Sequence, residues 1–146
     1  RTALRMRPNR IIVGEVRGAE AIDMLQALNT GHDGSLSTGH ANSPKDMLSR
    51  LESMVLMGMD LPLGAVQRQI ASGIDIIVHL GRLRDKSRKV LEVSEILDYQ
   101  DGEILVSPLY RFEETGEKDG KIQGTWRKMD DLVHTQKLLA AGYKEV

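Results

Sequence analysis

The sequence predicts an α/β fold, and three observations carry that expectation. Ile11, Ile12 and Val13 form a β-branched run without polar alternation, the pattern of a central strand covered on both faces of a parallel sheet. Residues 19–28 place Ile22, Leu25 and Leu28 at three-residue spacing with Gly31 following as a C-cap, which predicts a helix of about three turns. Residues 74–80 (IDIIVHL) repeat the buried-strand signal after further helical segments. Strands alternating with helices in this order indicate α/β architecture.

The remaining elements follow in turn. Residues 35–38 are a second short strand, ending at the turn-prone Gly39, His40, Ala41 and Asn42. Ser43, Pro44 and Asp46 supply an N-cap, a first-turn proline and a first-turn acid, so a helix starts there, with Met47, Leu51, Met54 and Val55 as its apolar stripe. A glycine and Asp60 break it; Pro62 opens another helix with Leu63, Val66 and Ile70 on one face, and Gly73 ends that one. Composition changes at Gly81, which divides the chain into residues 1–81 and an extension of the same domain, residues 82–146. Residues 82–89 (RLRDKSRK) make a basic turn, and residues 90–97 and 103–106 read as antiparallel strands joined across Asp101-Gly102. Residues 115–124 are polar and glycine-containing, and are expected to be a mobile loop. Residues 130–141 form a helix with Leu132, Gln136 and Leu139 on one side and Gly142 as its cap.

Composition narrows the function classes. A chain of 146 residues is one ordinary domain. Because its first residue is Arg1 rather than methionine, the chain is expected to begin inside a longer protein. Its 20 basic and 21 acidic residues nearly cancel, leaving no global attraction to nucleic acid or anionic lipid. One Phe, one Trp and three Tyr are too few for a base-stacking platform, so a nucleic-acid module is disfavoured. The absence of cysteine excludes disulfides and thiolate metal sites and fits a reducing compartment. The apolar runs are far shorter than the ~20 residues that span a bilayer.

The chemistry concentrates in two segments, residues 10–20 (RIIVGEVRGAE) and 31–43 (GHDGSLSTGHANS). Glu15 follows an apolar strand and one glycine, where a sheet delivers side chains to a ligand crevice at its carboxyl edge. A carboxylate there can orient the water that attacks a γ-phosphate. Arg17 and Arg7 are the guanidinium groups expected nearest the candidate site, able to meet developing phosphoryl charge with paired donors or, alternatively, to serve as surface salt bridges. His40 and the hydroxyl of Thr38 stand at the second strand end, suited to a terminal phosphate. His32, Asp33 and His40 lack a recognised metal-ligand spacing, so no metal site is expected from them. Met54, Met57 and Met59 form either a soft docking surface or helical core. The chain contains no G-x-x-x-x-G-K-[ST], the loop whose amides and lysine cradle a triphosphate.

On these residues the chain resembles the type II/type IV secretion and pilus-assembly ATPases, most closely the tight-adherence pilus (CpaF) branch. The segment LRMRPNRIIVGEVRGAEA resembles that family's atypical Walker B, with Gly14 at the usual aspartate position and Glu15 as the catalytic acid. TGHDGSLSTGHANSP resembles its His box, with His40 as the named histidine. The likeness continues through IDIIVHLGRLRDKSRKVLEVSEI and more loosely to the C-terminal helix. It implies the C-terminal half of a RecA-like nucleotide-binding domain with an antiparallel β extension. It also implies ATP with Mg2+, a hexameric homo-oligomeric ring, and a cytoplasmic position at the membrane's inner face through an inner-membrane platform protein. By that likeness the Walker A and Asp box are expected before Arg1. A strand leading into the P-loop would lie between the His-box strand and residues 74–80, supplied by another segment or a second copy. The competing reading is a non-hydrolysing assembly domain that contacts ring neighbours or pilus machinery.

Overall fold

The computed structural model describes residues 2–32 and 34–144. They form two compact units, the first made of Arg1–Asp75 with Asp98–Leu105, the second of Ile76–Leu97 with Val106–Val146. Gly81, where the composition changes, lies inside a strand of the second unit.

The first unit contains α1 (Thr2–Arg5), β1 (Ile12–Val13), α2 (Ala21–Leu28), β2 (Leu36–Ser37), α3 (Pro44–Gly58) and α4 (Leu63–Gly73). β1 and β2 pair in parallel, Ile12 opposite Leu36 and Val13 opposite Ser37. Parallel neighbours cannot be joined by a tight turn, and α2 makes the crossover. The expected helix starts hold: Ser43 Oγ accepts the Asp46 N–H at 3.1 Å, and Pro44 opens α3 with no amide to satisfy. The core is the junction of α2, α3 and α4, where Leu25, Val55, Val66 and Ile70 are sealed from solvent. Asn29 ties two of these helices together, its Nδ2 donating to Leu25 O at 2.9 Å and to Gln69 O at 3.0 Å. A methyl group at Gly73 would come within 2.8 Å of that Nδ2, so alanine there would have to displace the Asn29 amide. Arg68 lies 5.0 Å from the centre of the Tyr99 ring, a cation–π contact that holds the hairpin tip within this unit.

Two expectations need correction here. Ile12 is 70 % exposed, so β1 is not a strand covered on both faces; among the described residues its sheet has two strands, and two strands cover little. The methionines divide: Met54 is core, while Met57 and Met59 are exposed past the buried stripe.

The remaining elements are β3 (Ile76–Arg82), β4 (Arg88–Gln100), β5 (Glu103–Lys118), β6 (Lys121–Lys128) and α5 (Gln136–Ala140), with the strands in sequential order; all belong to the second unit except the β4–β5 tip, Asp98–Leu105. β3 is therefore a terminal strand pairing antiparallel with β4, not a buried parallel one, and Ile76, Val78 and Leu80 are exposed along it. Residues 115–124, expected as a mobile loop, are instead the second hairpin. Their strands are polar because nearly every side chain faces water, leaving no alternation to read; Ile122 is the buried exception. Both hairpins turn on Asp-Gly with positive φ at each residue, 52° and 87° at Asp101-Gly102 and 51° and 70° at Asp119-Gly120, matching the right-handed strand twist. Phe112 lies over Gly124 and meets Trp126 edge-on at 5.7 Å. In the basic turn, Arg84 forks onto Glu114 with two 2.5 Å bonds and reaches Glu117 at 3.3 Å, spending its charge within the sheet.

The C-terminal helix is shorter than its apolar spacing suggests. The amides of Val133 and His134 each donate to the Glu95 carboxylate at 2.8 Å, which holds that stretch out of helical geometry and delays α5 to Gln136. Gly142 ends it as expected: at φ 94° it donates to Leu139 O while Tyr143 N–H reaches Leu138 O, the paired bonds of a Schellman cap.

Candidate active site

β1 and β2 run in parallel and in register, so the residues that follow them leave the sheet at the same edge. Glu15 comes off the end of β1 after Gly14, and His40 comes off the end of β2 after Gly39. Thr38 fixes this meeting: its carbonyl accepts the Val16 N–H at 3.0 Å, and its Oγ1 donates to Gly14 O at 2.5 Å. Val16 itself is buried and anchors the loop.

The two segments consequently converge on one carboxylate. His40 Nε2 lies 2.8 Å from Glu15 Oε1, and Arg17 Nη2 lies 2.5 Å from Oε2. The bonded Arg17 guanidinium holds the Glu15 carboxyl below the usual carboxylate range, with the charges of Arg17 and His40 adding to the effect and desolvation opposing it. The same bond raises Arg17. Exposure separates the partners, at 23 % for the Glu15 side chain against 77 % for Arg17 and 81 % for His40. The acid is seated in the protein, and its two partners are free to turn toward a ligand. Oε1 is shielded from solvent, and the His40 approach is an ion-pair contact without hydrogen-bond alignment, so that oxygen keeps acceptor capacity.

Such an arrangement can keep a carboxylate ionised beside two mobile donors, the requirements for orienting a water and meeting an oxyanion. These donors fit the reacting end of a phosphate chain. A methyl at Gly14 would meet nothing within 4 Å, so the loop leaves open space beside Glu15. An open depression of about 550 Å³ begins at His40 and runs past Asn42 and Asp46 to Ser49 and Arg50. Among the described residues no cluster of three or more His, Asp or Glu is arranged to hold a metal ion, and Asp33 lies outside the described residues.

Of the residues singled out in the sequence, Glu15, Arg17, His40, Gly14 and Thr38 are brought together. Arg7 is not: it is exposed at φ 50° and forms no ion pair among the described residues. Sequence reasoning missed Glu20, whose Oε1 accepts the amides of Arg17 at 2.7 Å and Gly18 at 3.2 Å. The available signal was an acid two and three residues after the amides it holds.

Comparison with known proteins places these features in context. The family described as Type II/IV secretion system protein matches residues 1–130. A putative conjugal transfer protein of Mycobacterium tuberculosis is 43% identical over 104 residues, covering 71% of this chain and 29% of its own length. The type IV secretion system protein PtlH of Bordetella pertussis is 39% identical over 107 residues, covering 70% and 30%. Among solved structures, the VirB11 ATPase from the Brucella suis type IV secretion system, in complex with sulphate, superposes with a TM-score of 0.61 at 35% identity, over 64% of this chain and 30% of that one. The chain thus spans about 30% of the length of these relatives.

Proposed function

The chain belongs to the Type II/IV secretion system protein family, and from that premise we propose that it is the catalytic and phosphate-sensing part of an ATP-hydrolysing motor that powers protein secretion or pilus assembly. The observation that carries this reading is the convergence of His40 and Arg17 on Glu15. Glu15 orients the attacking water. Its lowered proton affinity suits this task, because phosphoryl transfer depends on positioning and charge stabilisation more than on a strong base. Arg17 and His40 swing from the carboxylate to the γ-phosphate and meet the charge that develops there. Gly14 and Arg7 complete the set assigned to the nucleotide's side of the site. Mg2+, when bound with ATP, supplies further neutralisation of phosphate charge.

The phosphate cradle is assigned to an upstream Walker A segment, because the present sequence holds none. In this proposal residues 1–81 are the Walker B and His-box portion of a RecA-like core, and residues 82–146 are its β extension and C-terminal helix. The whole protein works as a hexameric ring in the cytoplasm against an inner-membrane platform protein, with the tight-adherence pilus (CpaF) branch as its nearest functional class. No helix among the described residues is long and apolar enough to cross a membrane.

The test is Glu15→Gln in the full-length protein. Turnover of ATP should be abolished while ATP binding is retained. Undiminished hydrolysis would remove the assignment of Glu15, and loss of binding alone would move it from the chemistry to the binding of nucleotide.

A further inference from the structure

We propose that Glu20 and Thr38 are positioning residues, which clamp the backbone on both sides of Glu15 and so present its carboxylate between Arg17 and His40. This rests on the reading of Glu15 as the group that orients the attacking water.

The loop between β1 and α2 has no ladder partner of its own, and it carries glycine at both ends, Gly14 and Gly18. Left to itself, such a segment samples many conformations, and a side chain on it points nowhere in particular. Four backbone groups around Glu15 are nevertheless committed, and two residues hold all four. Thr38 takes Gly14 O through its hydroxyl and Val16 N–H through its carbonyl. Glu20 takes the N–H groups of Arg17 and Gly18 through one carboxylate oxygen. Thr38 therefore acts from the end of β2, one residue past the strand, and Glu20 from the N-cap of α2, and Glu15 lies between the two grips.

The chemistry of each residue excludes its simpler role. Glu20 sits at the N-cap position of α2, yet its side chain makes no cap bond to that helix; it turns back onto the preceding loop. Its carboxyl is held below the ordinary carboxylate range, first by the Arg17 amide, as a charge-assisted bond to backbone N–H demands. A threonine hydroxyl has one proton, and that of Thr38 is spent on Gly14 O. It has none to offer a phosphate, so its contribution to the site comes through the loop behind it. Holding a carboxylate by its backbone also leaves both oxygens available to Arg17, His40 and a water.

The experiment compares Glu20→Ala, Glu20→Gln, Thr38→Val and Thr38→Ser in the full-length protein, with Glu15→Gln as the reference. Loss of the grip in the Ala and Val variants should lower kcat by roughly 10–100-fold, the cost of a misplaced catalytic group, with KM for ATP changed less than about twofold. Gln keeps an acceptor oxygen and Ser keeps a hydroxyl, so these two should recover most of the lost rate. A rise in KM with kcat preserved would overturn the proposal by making these residues nucleotide ligands; equal losses in all four variants would overturn it too. Full turnover by Glu15→Gln is a separate result that would remove the underlying assignment instead. NMR provides a readout independent of folding defects in the variants. The Arg17 and Gly18 amide resonances of the unaltered protein should shift with pH as the Glu20 carboxyl titrates, and that movement should vanish in Glu20→Gln. Amides that ignore the Glu20 titration would refute the clamp directly.

Discussion

Replacing Glu95 with alanine should release the segment that leads into α5 and measurably destabilise the second unit. Glu95 is 1 % exposed, and its two oxygens accept the amides of Val133 and His134, both at 2.8 Å, with His134 Nδ1 approaching at 3.1 Å. Alanine leaves two N–H donors facing a site with no acceptor, at a cost of about 1–3 kcal/mol each. The ion pair adds little, about 0–1 kcal/mol, because the His134 side chain is largely solvated and its charge is screened. A total of about 2–7 kcal/mol corresponds to a fall in Tm of roughly 5–20 °C for a domain of this size. Glu95→Gln retains one carbonyl oxygen but turns an NH2 group toward an N–H donor, so it should fall between the parent and the alanine variant. Thermal unfolding followed by Trp126 fluorescence measures the order, and hydrogen exchange at Val133 and His134 localises it. An alanine variant with an unchanged Tm, or faster exchange everywhere except at those two amides, would refute the reasoning.

Two further outcomes concern the same unit. Asp85 is held at a pKa of about 2 by the Ser87 hydroxyl and the Ile122 and Ser87 amides, below its ordinary 3.8. Its stabilising effect is therefore complete above pH ~4 and is lost as pH falls toward ~2. The urea midpoints of the parent and Asp85→Ala should differ at pH 6 and converge near pH 2; a gap that persists in acid would contradict the assignment. Gly124→Ala would drive a methyl group into the Phe112 ring and within 2.5 Å of Glu113 O, so it should displace the ring and change Trp126 emission, with a loss of about 1–3 kcal/mol as for overpacking elsewhere. Unaltered fluorescence and stability would show that the ring does not depend on that space.

What could be read from the sequence was local. The start of α3 lies in Ser43, Pro44 and Asp46, and the first hairpin turn lies in Asp101-Gly102, because caps and tight turns are decided by residues within a few positions of one another. Residues 115–124 were misread for the converse reason: an exposed hairpin has no buried face to leave an alternating pattern. The short α5 was likewise hidden, since the acid that arrests the helix, Glu95, comes from a different strand.

The sequence by itself determined which groups are present for the chemistry, placing Glu15 and Arg17 after one strand and Thr38 and His40 after another. It also determined where α3 and α4 begin and where the first hairpin turns. Only the tertiary structure decided that β1 and β2 pair in register, which brings those strand ends to one edge and sets His40 2.8 Å from Glu15. It also decided that Glu20 folds back onto the loop and that Glu95 is buried. Strand register, partner choice and burial are settled by contacts between segments distant in the chain, and a short stretch of sequence carries no record of which distant segment it will meet.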